Sequence, residues 1–519
     1  MRHPSRSARR ARPRPSVLVL AALTALVGLP ACTPSTPTPG LSIYLEQDLD
    51  WGTCDGVATN AVDEELFANP DLECTSAEVP LDYTEPEGET AQVALMRLPA
   101  RGEAEGSLLV NPGGPAGSGL SFVAAQAPTL QDGRLTERLD IVGFDPRGVG
   151  ASTPSVDCYS DEEYDAGEVP RFAAVWNVTS ADQAEELATR CAEGSGGAEN
   201  LVSVGSTNVV KDMDVLREVL GDDELTYLGY SYGSELGAMY ATEYPDNIRA
   251  LVLDGGVAPD LTLPDFRVSQ LAVQQDRFDD LAALCAESGD CVLGDDPRTA
   301  SDRLHEIVQP VVESPAATDD GRELDVWDVY AGIVGGLFSE AKWPDVISAL
   351  TALEDGDPEG VLALRDASFG RTPDGVYTID ADVNIAVRCM DYPRSTPQEH
   401  AAHARELAEV APMFDLEVLT GQNFRSECGA WPAPPTREDP WLTDVPELPE
   451  TLVVSVTGDP GTTHDGGVAL AEALGSSLLT VEGKQHGAYL LGGSRCVDEI
   501  VEAYLIDVRT PPDGARCSL

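Results

Sequence analysis

Three residues of this chain have the types and the order that nucleophilic acyl transfer needs: Ser231, Asp459 and His486. Ser231 centres Gly229-Tyr230-Ser231-Tyr232-Gly233, which follows the apolar run Leu225 to Leu228 and precedes a helical pattern (SELGAMYATEYP). A serine at such a strand-to-helix turn sits at a strained backbone position, and the flanking glycines are needed because side chains there would strike neighbouring strands and helix. At the start of the helix the amide of Tyr232 is placed to stabilise an oxyanion. A serine hydroxyl needs a base, and in the order serine, acid, histidine that base follows the last strand. His486 does so, in Gly483-Lys484-Gln485-His486-Gly487; the competitor His464 comes before that strand. His305, His400 and His403 fall in charge-rich helical stretches and read as solvated, and the His400/His403 pair lacks a third metal ligand. The acid that fixes the imidazole tautomer is expected at Asp459, at the end of TLVVSVTGD. Its rival Asp254, after RALVL, otherwise reads as a loop-capping residue. Asp145, in FDPRGVGAS, reads as the structural partner of Arg147 in a tight loop.

A second oxyanion donor is expected from Asn111-Pro112-Gly113-Gly114-Pro115-Ala116-Gly117-Ser118-Gly119, which follows the run Ser107 to Val110. The loop has neither the lysine of a phosphate-binding loop nor the spacing of a dinucleotide fingerprint. Glycines let backbone approach a reacting carbonyl, which places the second amide at Gly114 or its neighbour. This chemistry calls for no metal and no organic cofactor.

The elements that must position these residues are short apolar runs bounded by Gly and Pro: 107–110, 139–144, 225–228, 249–253, 451–456 and 477–481. Such runs, alternating with helical patterns, predict a mostly parallel sheet with crossover helices, the α/β-hydrolase arrangement. Between the fourth and fifth runs the periodicity turns helical: Val268, Leu271, Phe278 and Leu281 share one face, as do Val346, Leu350 and Leu353. The expected order is therefore a first core part over 41–256, an inserted helical cap over 257–445 and a second core part over 446–519. No internal repeat is evident.

Residues 1–31 carry six arginines, an apolar stretch from Val17 to Leu29 and a small pair at Ala31 and Cys32, the pattern of an export signal too short to span a bilayer. Leu29-Pro30-Ala31-Cys32 resembles a bacterial lipobox with an atypical proline, so Cys32 is the expected lipid anchor and 32–40 a Pro/Thr-rich tether; simple cleavage and release is the alternative. Whether export uses the general or the twin-arginine route is open, as is oligomeric state. The 33 basic and 89 acidic residues give a formal charge of −56, which repels nucleic acid and anionic lipid and otherwise fits solubility. Setting Cys32 aside, the even number of cysteines left in an exported chain implies disulfides. Pairing in chain order would join 54 with 74, 158 with 191, 285 with 291, 389 with 428 and 496 with 517. Spacing alone leaves connectivity open.

The motifs NPGGPAGSG, GFDPRGVGAS, GYSYGS, LVLDGG, TGDPGTTHDGGVALAEAL and GKQHG together resemble the tripeptidyl aminopeptidase family of exported actinobacterial serine hydrolases, relatives of proline iminopeptidase, with its TAP-like C-terminal part. Cell-envelope lipoproteins of that family are described both as carboxylesterases and as serine proteases. The resemblance implies a triad of Ser231, Asp459 and His486, a supporting role for Thr462, and release of di- or tripeptides from free amino termini. Holding an ammonium group requires a carboxylate at a fixed distance from Ser231. Asp391, which a disulfide at Cys389 would hold in place, and Glu235, one helical turn beyond Ser231, are the candidates. The alternative is a carboxylesterase or lipase acting on cell-envelope esters.

Overall fold

The computed structural model describes residues 40–169, 171–172, 175–176, 180–378, 381–415, 426–438, 441–442 and 445–519. The export signal, Cys32 and all of the tether except Gly40 lie outside these residues.

The apolar runs become the strands of one nine-stranded sheet, in spatial order β1-β2-β4-β3-β5-β6-β7-β8-β9. Its strands are β1 (Glu73–Pro80), β2 (Thr90–Leu98), β3 (Ser107–Asn111), β4 (Asp140–Phe144), β5 (Leu225–Tyr230), β6 (Ile248–Asp254), β7 (Leu452–Val456), β8 (Ser477–Glu482) and β9 (Arg516–Ser518). From β4 across to β9 every pairing is parallel, while β1 and β2 pair antiparallel with each other and β2 antiparallel with β4. The central strands β5 and β7 are buried along their whole length, because helices cover both faces. Side chains alternate between two cores: Leu109, Tyr227, Leu251 and Val453 pack on one face, Leu108, Leu228, Val252 and Val454 on the other. The antiparallel β1 and β2 and the short β9 extend the expected sheet at its edges.

Among the described residues the helices of eight or more residues are α1 (Gly119–Leu130), α2 (Ala181–Gly194), α3 (Ser206–Leu220), α4 (Tyr232–Glu243), α5 (Leu263–Ala286), α6 (Ala300–Glu313), α7 (Val326–Leu337), α8 (Trp343–Glu354), α9 (Glu359–Ser368), α10 (Ala381–Asp391), α11 (Pro397–Val410), α12 (His464–Leu474) and α13 (Arg495–Asp507). α5 to α11 all lie between β6 and β7. α5 to α9 share a core of their own, in which Phe278, Leu281, Val346, Leu350 and Leu353 are buried, whereas α10 packs Val383, Ile385 and Ala386 into the sheet-face core that holds Leu109 and Tyr227. Leu271 packs against the core of α5 to α9, whereas Val268 of the expected face is only half-buried and stands outside it.

A second excursion, residues 145–205, leaves the sheet after β4 and packs on the long insertion. The Asp382 carboxylate of α10 accepts bonds from the amides of Cys158 and Tyr159 and from the Tyr164 hydroxyl, and Arg371 forks onto Asp165. The helical layer over the sheet is therefore drawn from two parts of the chain. Among the described residues five disulfides join ten cysteines in chain order: 54–74, 158–191, 285–291, 389–428 and 496–517. Among the described residues no helix is long and apolar enough to cross a membrane.

The expected Asp145–Arg147 pair does not form. Asp145 accepts instead from the Ser118 hydroxyl and the amides of Leu120 and Ala151. Arg147, fully buried, forks onto Asp212 at 2.7 Å through both Nε and Nη2 and also donates to the carbonyls of Pro80 and Leu81. A planar guanidinium buried this deeply needs several acceptors in its own plane, which a carboxylate two residues away cannot supply.

Candidate active site

The sheet register brings the chemistry to one edge. β5 pairs Tyr230 with Asp254 on β6 and Gly229 with Asn111 on β3, so the loops leaving β3, β5 and β6 emerge side by side at the strands' carboxyl ends. The chain runs outward from β3 to β4 and returns on the other side as β5, which makes this the switch point where α/β sheets open a crevice.

Ser231 follows β5 directly and adopts φ +52°, ψ −120°, with Tyr232 opening α4. No L-residue reaches this conformation without strain, and here the neighbours hold it. The Ser231 amide donates to the Asp254 carbonyl at 2.9 Å and its carbonyl accepts from the Ser234 amide and hydroxyl. A Cβ at Gly229 would stand 2.2 Å from the Gly233 carbonyl oxygen, which shows how tightly the turn folds on itself. Gly113, at φ +91°, lies against the same turn: a Cβ there would meet the Tyr230 carbonyl at 2.4 Å and the Ser231 Cβ at 3.0 Å. The glycine loop thus reaches the serine by backbone. Among the described residues the amides of Gly114 and Tyr232 are bonded to no acceptor, and both residues line the cavity with Ser231.

His486 is the fourth residue after β8, and its Nδ1 lies 2.7 Å from Oδ1 of Asp459. The Asp459 carboxylate is buried and held by backbone: Oδ1 accepts from the amides of Gly461 (2.7 Å) and Thr462 (2.9 Å), Oδ2 from Gly487 (3.3 Å) and the Thr462 hydroxyl (3.4 Å). Burial pushes the His486 pKa down, but Asp459, by charge and hydrogen bond, and Asp254, by charge, push it up further, and the net direction is upward. The Phe338 ring meets the imidazole edge-on at 5.5 Å.

Asp254 has a part that its sequence position only hinted at. Its carboxylate accepts from the amides of Ala488 (3.0 Å) and Tyr489 (2.7 Å), just past His486, while its carbonyl binds the Ser231 amide. One residue therefore ties the serine turn to the histidine loop. Burial raises this carboxyl to about 7. His464, the rival base, points to Ser455 at 2.9 Å. His305 and His403, expected in solvent, are half-buried against the Met413 carbonyl and Asp265.

Ser231, His486 and Thr462 line one cavity of about 480 Å³, with α10 as its opposite wall. Glu235 and Asp391 also line it. Glu235 is paired with the Arg437 guanidinium and accepts from the Tyr392 hydroxyl at 2.9 Å. Asp391 has no ion-pair partner among the described residues; it accepts from the Ser206 amide and hydroxyl, and burial raises its carboxyl to about 6. Arg437, Arg388 and the Arg267–Glu427 pair, which add to the charges of this wall, were not singled out in the sequence.

A strained serine between oriented amides, sharing a cavity with an aspartate-backed histidine, is the site of an α/β serine hydrolase. Comparison with known proteins agrees: residues 106–345 match the α/β hydrolase fold and residues 415–517 the TAP-like protein family. The chain is 39% identical to the serine protease Hip1 of Mycobacterium tuberculosis over 86% of its length and 87% of that protein. It is 38% identical to carboxylesterase B of the same organism, over 98% and 99%. With the tripeptidyl aminopeptidase of Streptomyces lividans it shares 28% identity over 86% and 84%. The chain belongs to this family of α/β-hydrolases with a TAP-like C-terminal part, and it is a serine hydrolase.

Proposed function

We propose that this hydrolase is an exported peptidase that releases di- or tripeptides from free amino termini. Ser231 attacks the scissile carbonyl as His486 takes its proton, with Asp459 orienting the imidazole. The amides of Tyr232 and Gly114 hold the oxyanion, His486 returns the proton to the leaving amine, and water releases the acyl group by the same route. The observation that carries this reading is the 2.7 Å Asp459–His486 contact in the same cavity as a serine at φ +52°. The names of two relatives, a serine protease and a tripeptidyl aminopeptidase, favour a peptide substrate. Of the two acids expected to bind the ammonium, we assign Asp391, since Glu235 is neutralised by Arg437. Five disulfides fit an oxidising compartment, and Cys32 is the proposed membrane anchor.

Carboxylester hydrolysis is a second reading, favoured by the relative that aligns over 98% of the chain and by the apolar Phe266, Leu271, Val334 and Phe338 on the cavity. The test compares a free-amino tripeptide amide, its N-acetylated twin and a short-chain acyl ester. Turnover of the free peptide over its acetylated twin, abolished in Ser231→Ala, is the expected result. Hydrolysis of the ester with neither peptide cut would replace the peptidase reading with the esterase one.

A further inference from the structure

The wall of the cavity facing Ser231 holds an arginine that none of its ion pairs uses. α10 turns Ala381, Asn384, Val387, Arg388 and Asp391 toward the cavity, the spacing of a single helical face. Around it the charges are matched in pairs: Glu235 with Arg437, and Glu427 with Arg267 at 3.0 Å. Asp391 is satisfied by Ser206. Arg388 is left over. Among the described residues its one hydrogen bond runs from Nε to Oδ1 of the neutral Asn384, at 2.7 Å, and no carboxylate stands within ion-pair distance. Burial and the neighbouring Arg267 guanidinium hold its pKa below the ordinary value, the mark of a cation short of counter-charge.

Among the described residues the two terminal nitrogens of this rigid fork have no acceptor, the geometry that matches a carboxylate in bidentate fashion. Asn384 in turn donates from Nδ2 to the Gly114 carbonyl at 3.3 Å, so the arginine is one side chain away from the glycine loop beside Ser231. α10 is itself fixed by the Cys389–Cys428 disulfide and by the bonds of Asp382. Arg388 is half-buried on the cavity, and a guanidinium partly withdrawn from water gains from a partner of opposite sign.

We propose that Arg388 is a specificity residue that binds a carboxylate carried by the substrate, either an acidic side chain or a terminal carboxylate, in the cavity served by Ser231. The inference rests on Ser231 being the nucleophile of this cavity, but not on the substrate being a peptide. With Asp391 on the same helix face, α10 would then read both ends of a zwitterionic substrate.

The test uses matched pairs differing only in a carboxylate, with kcat/KM compared within each enzyme so that a general loss of activity cancels. The peptide pairs are free-amino tripeptidyl anilides with Glu or Gln at each position, and a longer peptide as free acid or amide. The non-peptide pair is the 4-nitrophenyl ester of hemiglutarate against that of pentanoate. The wild type is expected to favour the carboxylate in at least one pair by about tenfold or more, and Arg388→Met to bring that ratio close to one. Arg388→Lys, which keeps the charge and loses the fork, should retain a reduced preference, and it reads the same quantity should the methionine variant fail to fold. The Glu/Gln pairs and the acid/amide pair tell a side chain from a terminus. No preference in any wild-type pair, or a preference that survives Arg388→Met, overturns the proposal. A preference confined to the ester pair, with no peptide cleaved, upholds it and removes the peptidase reading instead.

Discussion

The two walls of the cavity hold their charges by different means. On the sheet side both carboxylates are gripped by backbone: Asp459 by the amides of Gly461, Thr462 and Gly487, Asp254 by those of Ala488 and Tyr489. On the α10 side the ion pairs run between side chains, Glu235 with Arg437 and Glu427 with Arg267, while Asp391 takes both the amide and the hydroxyl of Ser206. Backbone donors in the loops just past β7 and β8 cannot rotate away as a side chain can, which suits groups that must meet a transition state within tenths of an ångström. The ion-paired side chains of the other wall come from elements far apart in the chain, Glu235 on α4, Arg267 on α5 and Arg437 ahead of β7, and none of them belongs to the strand-end loops. Under the proposed function, the reaction belongs to the first wall and the selection of substrate to the second.

The largest expected effects break the sheet wall. Ser231→Ala or His486→Ala should lower kcat by roughly 10⁴-fold or more, and the double variant little further, since the residues act as a unit. Asp459→Asn should cost about 10³- to 10⁴-fold by favouring the wrong tautomer. All are read by steady-state hydrolysis and by labelling with a fluorophosphonate. A deeper loss from a charge on the α10 wall than from Asp459→Asn would reverse the assignment of roles.

Next in size, Arg437→Ala would leave Glu235 buried without its cation and should destabilise the fold by about 3–5 kcal/mol, the usual consequence of breaking a buried pair from one side. The double variant Glu235→Gln/Arg437→Met should recover most of this in denaturant unfolding, because it removes both charges together. If the single variant is as stable as the parent, the α10 wall does not store its charge in pairs.

What the sequence disclosed divides along the same line. Backbone-positioned chemistry was legible, because a serine between glycines after an apolar run, and an acid and a histidine each closing a later run, fix their own neighbours through strand order. The six parallel runs became strands for the same reason: burial on both faces leaves a continuous apolar signature. β1 and β2 escaped because a sheet edge mixes polar with apolar residues, as in ECTSAEVP. The partners of charges were not legible. Arg147 finds Asp212, 65 residues away, in place of the adjacent Asp145, and Glu235 finds Arg437, 202 residues away, since nothing in a local pattern encodes which distant element supplies a counter-ion. Arg388 illustrates the same limit, because its want of a partner exists only in three dimensions.

Thr462 tests how far backbone alone sustains the sheet wall. Its amide donates to Asp459 at 2.9 Å and its hydroxyl only at 3.4 Å, so the amide is the firmer of the two bonds. Thr462→Val keeps the amide and the shape while removing the hydroxyl from a buried carboxylate. The expected cost is about tenfold in kcat/KM, equivalent to the loss of one ordinary hydrogen bond. A loss approaching that of Asp459→Asn would mean that the hydroxyl meets the substrate itself.

The smallest effect separates Asp254 from Asp459. Only neutral His486 can accept the serine proton, so the rate should rise with pH through the histidine's pKa, and its upward displacement places that acidic limb above 6.5. Asp459 acts on the ring by contact, Asp254 only by charge, and the Asp254 carboxyl itself titrates near 7, inside the same interval. The two groups then release protons as a coupled pair, and the limb should be broader than one ionisation allows. Asp254→Asn keeps an oxygen acceptor for the Tyr489 amide but removes the charge, so the limb should sharpen and move to lower pH by a fraction of a unit. The plateau rate should fall far less than in Asp459→Asn, because the tautomer of His486 is set elsewhere. A limb that stayed broad, or moved upward, would show that Asp254 does not act on the histidine through its charge.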